Sequence, residues 1–133
     1  MLPFRRNLAE SGTNWPIIRY ADVLLMYAEA ANENGKIQEA IDALNRVRAR
    51  VDMPPYPTGK WTVSNQEEVF DAIVHERRVE LAFEYHRYND LRRWGLAEEV
   101  LGPLGYIAPR NEYMPLPQAE VDTNPNLVQN PNW

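Results

Sequence analysis

Glu76, Glu80 and Glu84 recur at every fourth residue between His75 and Trp94, interleaved with Arg77, Arg78, Arg87, Arg92 and Arg93. Two carboxyl groups are the working parts of a glycosidase, one as the acid and the other as base or nucleophile. On consecutive turns of one helix they do not flank a scissile bond, and the nearby guanidinium groups hold carboxyls ionised instead of leaving one as a proton donor. The run His75-Glu76-Arg77-Arg78-Val79 opens like a zinc-protease helix, but that chemistry needs a second His where Val79 stands. No metal site is therefore expected. Ser11 and Ser64 are the only serines, neither sits in a nucleophile elbow, and no glycine-rich phosphate loop is present. The chain is expected not to be an enzyme and to need no cofactor.

The same residues make better sense as structure. Val69, Ile73, Arg77, Glu80, Leu81 and Glu84 keep the i, i+3, i+4, i+7 spacing of one helical face, so the charges continue an apolar stripe. Charges in that position persist only when paired and hydrogen-bonded, and glutamates four residues apart repel one another. An ion network of Glu29, Arg48, Glu76, Arg77, Glu80, Glu84, Arg87 and Asp90 is expected. Arg48 shares a face with Leu44, Val47 and Val51, which makes it a partner for Glu29 or Glu80. Glu80 or Glu84 should be buried against Arg48, Arg77, Arg78 or Arg87.

Sugar rings stack on exposed aromatic faces. Trp61, Trp15 and Tyr56 lie in loops or at helix edges and are the candidate ligand-binding residues, with Trp61 foremost because its loop is polar. The competing role for each is packing beneath proline-rich segments.

The elements that position these groups are helical. Ile17 to Asn34 reads as one helix, with Asn14 as its cap and Pro16 in its first turn. Ile17, Ala21, Leu24, Leu25, Ala28 and Ala31 form one face, widened by Tyr20, Val23, Tyr27 and Ala30, and Gly35 ends it. Lys36 to Val51 forms the next helix, antiparallel to the first across a short turn. Residues 52 to 64 are a loop rich in proline. Ser64 then opens a third helix with Glu67 as its capping-box partner, running to about Glu84, followed by a helical segment from Arg87 to Val100. From Gly102 on, six prolines exclude regular structure while Tyr106, Tyr113 and Leu116 remain, so an irregular strap over the helices is expected. The fold class is all-α: antiparallel, tetratricopeptide-like helices with a proline-rich C-terminal strap, in one domain over residues 1–133. Ala28, Gly35, Ala40 and Leu44 fall at offsets resembling one tetratricopeptide unit.

A net charge of −5 speaks against nucleic acid as the partner. The absence of cysteine excludes disulfides and thiolate metal sites. No apolar run reaches the roughly 18 residues of a membrane span, and the first ten residues lack the apolar centre of a signal peptide. The chain alone is expected to be soluble.

Four blocks carry a resemblance: Asn14 to Glu33, Leu44 to Arg50 (Leu-Asn-Arg-Val-Arg-Ala-Arg), Glu76 to Trp94, and the ending from Met114 (Met-Pro-Leu-Pro-Gln-Ala-Glu-Val-Asp-Thr-Asn-Pro). In order and spacing they resemble the C-terminal part of SusD/RagB proteins. The resemblance implies a larger parent lipoprotein on the surface of a bacterial outer membrane. Such a parent captures glycans or other nutrients without chemical change, and its partner is a TonB-dependent transporter. It also implies that most ligand contacts of the family lie in the portion preceding this one, which is a scaffold. A tetratricopeptide-type protein-interaction scaffold with no sugar role is the alternative. Because the first helix is apolar over most of its circumference, Tyr20, Val23 and Tyr27 are expected to form a patch that drives self-association, or is covered by Met1 to Thr13 or by the tail.

Overall fold

The structure is a computed structural model and describes residues 16–133. Expectations resting on Met1 to Thr13, Asn14 and Trp15 lie outside the described residues. The chain divides into two compact units, the first ending at Leu81 and the second running Ala82–Trp133. Among the described residues the regular structure is helical, with no strand, as the all-α reading expected. No described helix is long and apolar enough to cross a membrane.

The first unit is built from α1 (Tyr20–Glu33), α2 (Ile37–Ala49) and α3 (Gln66–Glu80). Leu25, Leu44, Val69 and Ile73 are fully buried between them, with Ala28, Ala40 and Ala72. Alanine at these three positions lets backbones approach closely while the larger side chains interdigitate. The α1–α2 turn follows from Gly35. Its φ of +73° suits glycine, and it lets Lys36 N donate to Ala31 O and Gly35 N to Asn32 O, both at 2.9 Å. This pair of bonds satisfies the last carbonyls of α1 and reverses the chain.

Helix ends differ from the expected ones. α1 starts at Tyr20 with Arg19 as its N-cap, so Pro16 precedes the helix and Ile17 is exposed instead of sharing the core face. Asn65, not Ser64, caps α3: its Oδ1 accepts from Glu68 N at 3.0 Å. The Glu68 carboxylate turns back to accept from Ser64 N at 2.9 Å and from the hydroxyls of Ser64 and Thr62 at 2.7 and 2.6 Å. The cap lies one residue later than expected, because Asn and Ser both cap well, and the Glu68 carboxylate reaches past Asn65 to Ser64 instead of closing a box with Glu67. These donors, Thr62 first, hold the Glu68 carboxyl down to about 2.

α3 ends at Glu80 instead of continuing to Glu84. Phe83 and Tyr85 then take left-handed φ of +66° and +64°, which a right-handed helix does not allow. The second unit begins there. The expected segment from Arg87 to Val100 is two helices, α4 (His86–Arg93) and α5 (Ala97–Leu101), because Gly95 adopts φ +72° between them. The remaining tail is irregular apart from two 3-10 turns and α6 (Gln118–Thr123).

Candidate functional site

In the first unit the charged residues of α3 find partners on both other helices. Arg48 of α2 is 6% exposed, and its Nη1 donates to Glu76 Oε1. The same guanidinium donates through Nε to Pro54 O at 2.7 Å and lies 4.3 Å from the centre of the Tyr56 ring. Tyr56 donates its hydroxyl to the same Glu76 oxygen at 2.8 Å. Burial, with the Glu76 carboxylate beside it, pushes the Tyr56 phenol upward, so it remains protonated and a donor. Arg77 Nη1 meets Asp22 Oδ1 of α1 at 2.9 Å, with both residues buried. Glu80 is bridged by Arg19 at 2.8 Å and Arg50 at 2.9 Å.

Of the expected members, Arg48, Glu76, Arg77 and Glu80 are ion-paired in the first unit, with partners other than those expected. Arg48 pairs with Glu76 rather than Glu29 or Glu80, and Glu80 meets Arg19 and Arg50. Arg78, offered as a partner, is exposed. Glu29 is half-buried on α1. Glu84 and Arg87 belong to the second unit, also half-buried, and there Asp90 accepts from Arg93 Nε at 3.0 Å. Asp22 was missed as a member. Its signal was available, because it lies three residues before Leu25 on the face that packs.

The carboxylates of Asp22, Glu76 and Glu80 each pair with a guanidinium group, and Glu76 also accepts from the buried Tyr56 hydroxyl. Carboxylates committed to such partners suit a structural clasp and not a general acid. Among the described residues no cluster of three or more His, Asp or Glu side chains can hold a metal.

The aromatic candidates fare differently from one another. Tyr56 is 4% exposed, with Arg48 over its ring and its hydroxyl on Glu76, so it offers no free face to a sugar, a correction to its candidacy. Its main chain is held as well: Tyr56 N donates to Asn45 Oδ1 at 2.6 Å, and Asn45 Nδ2 donates back to Tyr56 O at 3.1 Å. Trp61 is half-buried. It meets Tyr56 edge-on at 6.2 Å and the His75 ring at 4.9 Å, with the Lys60 ammonium 4.9 Å from its ring centre. Trp15 lies outside the described residues.

The second unit contains a half-open cleft of about 440 Å³ that the sequence reading did not locate. Gly95 and α4 residues Asn89, Arg92 and Arg93 form one side, Ala97 and Glu98 of α5 another, and Tyr106, Ala108, Glu112 and Tyr113 the third. The third side is clipped in place. Tyr88 donates to Asn111 O at 2.6 Å, Arg92 Nη2 donates to Glu112 O, and Trp133 Nε1 lies 2.9 Å from both Arg110 O and Tyr113 O. Burial and the nearby Tyr88 and Glu112 raise the Tyr106 phenol, which stays protonated. Nothing periodic marks this cleft, because its walls are turns and short helices.

The SusD family profile (SusD_RagB) matches residues 5–109. SusD-like protein P2 of Formosa agariphila is 39% identical over 134 aligned residues, which cover 93% of this chain and 26% of that protein. SusD-like protein P38 of the same bacterium is 37% identical, with 89% of this chain and 24% of its own length covered. A SusD superfamily protein from Bacteroides vulgatus superposes with a TM-score of 0.76 at 36% identity, over 88% of this chain and 27% of that one. A solved laminarin-binding SusD-like protein superposes with a TM-score of 0.71 at 41% identity, over 87% and 22%. The chain spans about a quarter of the length of the curated relatives it matches. With a profile match over more than half its residues and the same helical fold in those structures, the chain belongs to the SusD/RagB family.

Proposed function

We propose that this chain is the C-terminal helical portion of a longer, non-catalytic glycan-binding protein. That protein is a lipoprotein on the outer-membrane surface, delivering its ligand to a TonB-dependent transporter. The observation that carries the reading is the likeness, at 41% identity, to a SusD-like protein that binds laminarin. Two features of the chain support it. Its buried carboxylates are occupied by arginines and Tyr56, which fits a binder better than a hydrolase. Its matched relatives are about four times as long, which fits a scaffold portion within a larger protein.

A second reading, a tetratricopeptide-type protein-interaction scaffold without a sugar role, is favoured by one observation. Tyr20, Val23, Met26 and Tyr27 of α1 are all exposed, a row of large apolar side chains on an otherwise packed helix. On the first reading this face is where the rest of the longer protein packs, or where isolated copies of the chain associate.

The test is copurification of the longer protein, tagged, from the outer membrane of its source bacterium. The expected result is a TonB-dependent transporter in the eluate and retardation of the protein in polysaccharide-containing native gels. Recovery with neither transporter nor polysaccharide retention contradicts the proposal.

A further inference from the structure

The cleft in the second unit has a balanced chemistry. Arg92 and Arg93 contribute two positive charges and Glu98 and Glu112 two negative ones. Arg92 already donates to Glu112 O, and Arg93 to Asp90. An anion entering here would meet two carboxylates and cations that are partly committed. A cation would meet the guanidinium groups. The arrangement favours an uncharged ligand.

The lining also carries unengaged hydrogen-bonding groups. The Asn89 amide, the Glu98 carboxylate and the hydroxyls of Tyr106 and Tyr113 make no side-chain hydrogen bond to another described residue. Amide and phenols can donate, and carboxylates and the amide oxygen can accept, so donors and acceptors are both available around one space. The two tyrosines add aromatic surface: Tyr113 is exposed and Tyr106 half-buried. An uncharged molecule with many hydroxyls and an apolar ring face matches this combination, which an apolar ligand would leave unsatisfied. A volume of about 440 Å³ falls within the roughly 300–1,000 Å³ of small-molecule sites.

The walls are also held before any ligand arrives. Tyr88, Arg92 and Trp133 fix the main chain of residues 110–113 from three directions. Ile107 N donates to Asn111 Oδ1 at 2.7 Å and Asn111 N to Ile107 O at 2.8 Å, closing that turn on itself. A preformed wall reduces the ordering cost of binding.

We propose that this cleft is a sugar subsite, taking one neutral pyranose unit of a glycan against Tyr113, with its hydroxyls held by Glu98, Asn89 and Tyr106. The assignment rests on the glycan-binding reading and places a contact within the portion otherwise read as scaffold.

The test uses the whole 133-residue chain. It is titrated with laminarin, starch, xylan and mannan, following the tyrosine ring protons by NMR. The expected result is saturable shifts of the Tyr106 and Tyr113 rings with at least one glycan. Tyr113→Ala should weaken that binding about tenfold, and Glu98→Gln several-fold, with unchanged melting curves. Both side chains are exposed, so neither variant threatens folding. Binding that both variants retain at full strength overturns the subsite while leaving the glycan reading intact. No binding of any of the four by this chain also overturns the subsite, and the longer protein, assayed separately, then decides the broader reading.

Discussion

Arg48 on α2 and Glu76 on α3 form a buried ion pair that joins the two helices, and Tyr56 from the intervening loop donates to the same carboxylate oxygen. One glutamate thus fixes a helix–helix contact and the path of the proline-rich loop. The guanidinium is satisfied further by Pro54 O, to which its Nε donates at 2.7 Å.

Breaking this pair from one side leaves the other charge buried. Glu76→Ala or Arg48→Ala should destabilise the chain by about 3–5 kcal/mol in urea denaturation. Replacing both by apolar residues of similar volume should cost less than either single change, apart from the loss at Tyr56. Single variants within about 0.5 kcal/mol of the parent chain would show the pair to be solvated.

Acid should act on the start of α3. The Glu68 carboxyl is held down to about 2 by Thr62 and Ser64, well below the roughly 4.3 of an unfolded glutamate. Its contribution is therefore complete above the unfolded value and disappears as pH falls through about 2. Glu68→Gln should lower the denaturation midpoint at pH 6 and make progressively less difference between pH 4 and pH 2. An equal difference between the two proteins at all these pH values contradicts the assigned hydrogen bonds.

How much of this was legible in the sequence differs by feature. Helix interiors followed from periodicity, because Leu25, Leu44, Val69 and Ile73 lie on faces that spacing alone defines. Helix ends depend on local competition. Asn65 displaced Ser64 as the cap, and Phe83 and Tyr85 break the chain at φ values for which aromatic residues give no warning. Gly95 is a break visible in the sequence itself, within an otherwise helical run. That α3 charges would be paired was readable from the stripe. Their particular partners were not, since these depend on how α1 and α2 rotate against α3. Tyr56 looked like a loop aromatic because a sequence does not show that its hydroxyl turns inward to Glu76. The cleft was invisible for a related reason: Asn89, Glu98 and Tyr113 converge through turns and not through spacing.

The exposed row on α1 makes a prediction about association. Tyr20 and Tyr27 are tethered sideways, by Arg46 at 2.7 Å and to Glu39 at 2.5 Å, which holds their rings on the outer surface. The isolated chain should sediment faster as concentration rises, and Val23→Glu should suppress this. A monomer over the whole accessible range would contradict the association claim.

Hydrolysis is not expected. Incubation with polysaccharides should release no reducing ends above the level of a Glu76→Gln control, because Glu76 is committed to Arg48 and Tyr56. Release that scales with protein concentration and vanishes in that variant would reverse this conclusion.

The central claim, that the chain is part of a protein that binds glycans and leaves them intact, is tested most directly by calorimetric titration of the longer protein. Laminarin, starch, xylan and mannan serve as ligands, and each is recovered and sized afterwards. The account predicts saturable heat with at least one polysaccharide and an unchanged chain length on recovery. No heat with any of them, or a shortened glycan, would contradict it.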